Sequence, residues 1–127
     1  MSASNYAEAK IADHMLGTTA WTMPTGVYIK LHLAGDPLED GTGVPAVEST
    51  RKVVTFGAAS VGTGIATSNL AAEWTSVSTT ETYENFSLWD AVTGGNCLAT
   101  GALTGAVAVT AGDNFTIASG DLTVTVS

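Results

Sequence analysis

The residues of this chain that could do chemistry are its two histidines, its one cysteine and a few acids set in glycine-rich turns. In LWDAVTGGNCLATGAL, Leu88 to Leu103, two apolar segments flank a glycine pair, so a turn there would gather Asp90, Asn96 and Cys97. A reactive thiolate needs a cationic neighbour or a helix N-terminus to lower its pKa, and Asp90 would instead raise it. Cys97 therefore reads as a small apolar strand residue. The turn reads as a hairpin: residues among Gly94, Gly95 and Asn96 take the positive φ angles a tight turn needs, and Asp90 hydrogen-bonds its backbone.

The histidines suggest little more. His14 adjoins Asp13 in a helical pattern, where neighbours in sequence do not face each other, and His32 falls on the polar side of a strand pattern. Neither has a nucleophile at a recognised spacing. Asp36, Glu39 and Asp40 in GDPLEDGTG offer oxygen ligands suited to calcium, but Leu38 stands where the loop template needs a ligand and Val47 where it needs the closing glutamate. Solvated loop charge is the better account. Trp21, Trp74 and Trp89, with Tyr28 and Tyr83, are rings that could stack on a sugar, although Trp74 and Trp89 lie in strand-like segments where filling a core is the commoner use. No catalytic residue, cofactor or metal site is expected.

The elements that must hold these groups follow from periodicity. Ala7, Ile11 and Met15 lie four apart, with Ala12 and Leu16 beside them, which predicts a short amphipathic helix over residues 5–16. Asn5 and Glu8 have capping-box spacing, and Gly17 is placed to end the helix. From Gly26 the period becomes two: Val27, Ile29, Leu31 and Leu33 alternate with Tyr28, Lys30 and His32, as in a strand with one buried face. GDPLEDGTGVP is expected as an exposed loop, followed by a strand over Arg51 to Phe56. Further short strands are predicted over residues 62–67, 70–75, 82–90, 96–103, 105–110, 114–118 and 121–126. In the last of them Leu122, Val124 and Val126 share one face. The expected fold is all-β, an antiparallel β-sandwich or jelly-roll-like barrel preceded by one short N-terminal α-helix, as a single domain over residues 1–127.

Composition excludes several classes of function. Twelve acids against four bases give a net charge of −8, and Lys10, Lys30, Arg51 and Lys52 form no basic stripe, so neither nucleic acid nor an anionic membrane is an expected partner. No apolar run approaches the roughly 20 residues a membrane-spanning helix requires, and MSASNYAEAK lacks the charged start and apolar core of a secretion signal. One cysteine cannot form an intramolecular disulfide, which fits a reducing compartment. Few charges and many Thr, Ser, Ala and Gly suit a β domain with a neutral, hydroxyl-rich surface.

Taken in order, AEAKIADHMLGTTAWTMPTGVYIKLHLAGDP, VVTFGAAS, LWDAVTGGN, GALTGAVAVTAGDNFTI and GDLTVTV resemble a family of small structural proteins of tailed bacteriophages, commonly labelled tail-fibre or head decoration proteins. The resemblance runs from residue 7 to residue 126 and brings no catalytic residues. It implies a non-enzymatic virion component assembled in the host cytoplasm. The leading expectation is a capsid decoration (cement) protein on the outer head surface, homo-oligomeric, with the major capsid protein among its virion partners. The alternative is a tail-fibre or minor tail module contacting the host surface. A short apolar helix needs a partner, so Tyr6, Ile11, Met15 and Trp21 are the expected docking surface.

Overall fold

A computed structural model describes residues 1–126. A two-residue strand β1 (Ser2–Ala3) precedes the helix α1 (Asn5–Met15) and then β2 (Val27–His32), β3 (Lys52–Val54), β4 (Ile65–Thr67) and β5 (Ala72–Trp74). The long pair β6 (Glu81–Trp89) and β7 (Cys97–Val109) follows, then β8 (Phe115–Ile117) and β9 (Thr123–Thr125). All strand pairings are antiparallel. One sheet has the order β1-β7-β6-β2-β3, while β4-β9 and β5-β8 form two-stranded ribbons. The described residues form no closed barrel, and the architecture is sandwich-like and all-β.

The alternation in β2 sets the core. Ile29 and Leu31 are fully buried and lie opposite Leu88 and Phe86 of β6, so the apolar rows of two strands coincide on one face. Trp74 and Phe115 from the β5-β8 ribbon close that face, with Phe115 ring centroids 5.6 Å from Trp74 and 5.2 Å from Tyr83. Burial of each such side chain stabilises the fold by about 1.5–3 kcal/mol.

Several boundaries differ from the sequence expectation. The helix cap is Ser4, not Asn5: its hydroxyl accepts from the Ala7 amide at 3.1 Å and donates to the Cys97 carbonyl, so the same residue starts the helix and ties it to β7. Gly17, at φ +73°, does follow the helix end. Only the first half of the apolar stripe is covered: Ala7 is buried, but Met15 is 77% exposed and Leu16 78%. The two strands expected over residues 96–103 and 105–110 are one strand, β7, carrying a bulge. Tyr83 pairs with Val107 and Asn85 with Ala102, so five steps on β7 oppose two on β6. In the last strand Leu122 is buried but Val126 is exposed, because β9 ends at Thr125.

The loop after β2 departs most from expectation. It folds back across the second face of the large sheet, where Pro37 and Gly41 are buried, and it covers His32 completely. Asp36 Oδ1 accepts from the Leu38 amide at 2.8 Å and Asp40 Oδ1 from the Thr42 amide at 3.0 Å, which bends the chain inward. Gly41, at φ +69°, sits so close to the sheet that a Cβ there would lie 2.7 Å from Trp89 Cζ2. Strand alternation alone assigns one face to solvent, whereas this loop buries part of both.

Candidate functional site

The covered face carries a chain of polar side chains. His32 and Ser87 are diagonal neighbours across β2 and β6, since His32 pairs with Asn85. His32 Nδ1 lies 2.7 Å from the Gly43 carbonyl, Nε2 lies 2.7 Å from Ser87 Oγ, and Trp89 Nε1 lies 2.7 Å from the same hydroxyl. A carbonyl only accepts, so Nδ1 bears the proton. Burial, reinforced by the charge of Lys30, lowers the His32 pKa, so the ring is neutral and Nε2 accepts from the Ser87 hydroxyl. Ser87 Oγ in turn accepts the indole N–H.

This is the hydroxyl–imidazole–acceptor order of an activated serine. It is absent from the expectations drawn from the sequence, because residues 32 and 87 are related only by strand register. His32 and Ser87 are both 0% exposed, with Gly41 and Trp89 closed over the hydroxyl, so no substrate carbonyl reaches it as the chain stands. The arrangement satisfies three buried polar groups and pins the loop through Gly43.

The hairpin at residues 90–96 is held as its sequence suggests. Asp90 Oδ1 accepts from the Asn96 amide at 2.7 Å and Oδ2 from the Asn96 side-chain amide at 2.9 Å, while Gly94 and Gly95 have φ +61° and +70°. Arg51 was not among the expected contributors. Its guanidinium stacks 3.8 Å from the Trp89 ring centroid and donates to the Ala91 and Gly94 carbonyls at 2.8 and 2.7 Å. Cys97 is buried, and burial pushes its thiol up to about 11, the direction of an unreactive sulfur.

The other expected groups go separate ways. Asp13 accepts from the Thr18 hydroxyl at 3.0 Å, whereas His14 Nδ1 accepts from the Trp21 amide at 3.1 Å, so the two make no dyad. Asp36 and Asp40 serve their turns, and among the described residues no group of three His, Cys, Asp or Glu side chains is placed to hold a metal. The five rings do not all share a platform: Trp74 and Tyr83 are core, Tyr28 pairs in register with Trp89, which lies under Arg51, and Trp21 meets Tyr6 edge-on at 6.4 Å. No helix among the described residues is long and apolar enough to cross a membrane.

Tyr6, Ile11, Met15 and Trp21 are brought together on one flank of α1. Trp21 returns beneath the helix, fixed by the His14 bond, and packs against Tyr6. Ile11, Met15 and Trp21 then line an open recess of about 350 Å³ with Met23 and Pro24. A second cavity of about 280 Å³, walled by Ala7, Ile11, Trp21, Phe56, Leu88 and Val124 among others, separates the helix from the sheets. With Met23 84% exposed beside Met15, which is 77% exposed, this flank presents apolar side chains to solvent.

A sandwich-like β chain with a sealed polar network and exposed apolar surfaces is physically suited to structural work, and the family match agrees: this is a phage fibre family of virion structural proteins. The matching family model is described as Podophage GP4 fiber I protein gp80 and spans residues 2–125, and the chain belongs to that family. No curated protein matches it.

Proposed function

We propose that this chain is a non-enzymatic module of the phage tail fibre, acting through surfaces that join it to other virion proteins and to further copies of itself. The observation that carries this reading is the fibre-family match over residues 2–125. That description favours the fibre over head decoration, the leading expectation from sequence. The non-enzymatic part is supported by the burial of the hydroxyl–imidazole pair and by the raised pKa of Cys97. Tyr6, Ile11, Met15 and Trp21 are proposed as a contact toward neighbouring virion proteins, because apolar area left exposed on a short helix is stabilised by being covered.

Gold-labelled antibody on intact particles, with quantified virion proteomics, tests the assignment. Label on tail fibres and a copy number of a few per particle are expected. Label spread over the head at hundreds of copies would reject the fibre in favour of decoration.

A further inference from the structure

The two edges of the large sheet are treated differently. At one edge β3 is three residues long and carries Lys52, with Arg51 just before it, both common guards against strand addition. At the other edge β1 covers only Ala99 and Thr100 of β7. Among the described residues, no strand pairs with the outer side of β7 from Gly101 to Val109. That stretch, GALTGAVAV, has no charge and no proline, in a chain of net charge −8. It is largely exposed, and the bulge leaves residues 103–106 without register partners on β6.

Gly105 adds an independent observation. Its φ lies outside the left-handed region, and a Cβ built on it meets nothing within 4 Å. Nothing inside the chain requires glycine there, and glycine weakens a strand unless another backbone must come close. Behind the edge a groove of about 360 Å³ opens between the layers, walled by Phe86, Leu103, Val107, Phe115, Ile117 and Leu122 among others. A strand laid along β7 would bury alternate side chains in it.

We propose that β7 pairs edge to edge with β7 of a second copy of this chain, antiparallel about a two-fold axis near Gly105. About that axis Thr104 faces Ala106, Leu103 faces Val107 and Ala102 faces Ala108, so every facing pair is small or apolar. The paired stretches themselves carry no charge, which suits two acidic chains, and the acid in the groove wall is Asp121. The pairing rests on the fibre reading for its biological setting only, since the contact is argued from β7 itself.

The test is the mass of the purified full chain by light scattering on a sizing column, between about 1 and 100 μM, which covers the weak end of protein association. The wild type should run as a dimer, twice the 12.8 kDa of one chain. Gly105→Val places its side chain in space that is empty within one copy, so circular dichroism should show the same fold, while the dimer weakens at least tenfold. Val107→Lys, which sets a charge on the edge, should do the same. A monomeric wild type, a trimer, or a dimer indifferent to both substitutions would overturn the pairing. Label on the tail with a monomeric chain would remove the pairing and leave the fibre reading standing; a β7-dependent dimer that labels the head would do the reverse.

Discussion

His32 Nε2 and Ser87 Oγ lie 2.7 Å apart, each wholly buried, on strands joined by no local connection. With Nδ1 donating to the Gly43 carbonyl and the ring held neutral by burial, Nε2 is left to accept from the Ser87 hydroxyl. The same atoms that would make a nucleophile in an open cleft serve here to bind the loop of residues 35–45 to the sheet.

Ser87→Ala should therefore cost more than a surface hydroxyl. It strands the Trp89 indole N–H and the His32 Nε2 lone pair, each worth about 1–3 kcal/mol when left unsatisfied in the interior. Urea denaturation should show the loss as a lower midpoint at unchanged slope. A loss below about 0.5 kcal/mol, the ordinary effect of a surface change, would mean that water or a shifted loop replaces the hydroxyl.

The pH dependence follows from the same ring. Burial and the Lys30 charge hold the native His32 pKa below its ordinary 6.5, so between these two values the unfolded chain binds more protons than the native one. Stability is therefore complete above pH 6.5 and falls as pH drops through the native pKa. His32→Gln should flatten that slope, measured by urea melts from pH 7.5 to 5. Asp40, held low by its Thr42 hydrogen bonds, contributes in the same direction only at more acid pH, below about 4.

Gly41→Ala combines two penalties. The residue needs φ +69°, and its new methyl would meet Trp89 Cζ2 at 2.7 Å and Cys97 Sγ at 3.0 Å. Left-handed strain and overpacking together should cost about 2–4 kcal/mol. A second readout is the thiol itself. Native Cys97, pushed up to about 11 and buried, should react with Ellman's reagent at pH 8 only as the chain opens. The Gly41→Ala protein should label faster under identical conditions.

Asp90→Ala removes both anchors of Asn96 and, since these bonds are exposed, should cost about 1.5 kcal/mol, the low end for hydrogen bonds to a charged group. Arg51→Lys should also destabilise, because an ammonium cannot stack on Trp89 while donating to the Ala91 and Gly94 carbonyls. If Arg51→Lys melts with the wild type, the stacking contributes nothing beyond solvated charge.

Local patterns were sufficient for much of the architecture. Period two across Val27 to Leu33 put Ile29 and Leu31 in the core, GGN after Asp90 made a hairpin, and Gly17 followed the helix end, because each depends on residues within a few positions. The convergence of Ile11, Met15 and Trp21 was legible for the same reason: a helix and the segment after it cannot separate far.

What sequence determined by itself is the class of the chain: antiparallel β elements behind one short helix, and the order of motifs that places it in a phage structural family. Tertiary structure alone decided which polar groups meet. His32 is buried because a distant glycine lets a loop lie flat on Trp89, Ser87 reaches it through the register of β2 and β6, and β7 is left open at its edge because β1 is only two residues long. Each of these is a long-range packing outcome, set by how the strands align rather than by the spacing of residues along any one of them.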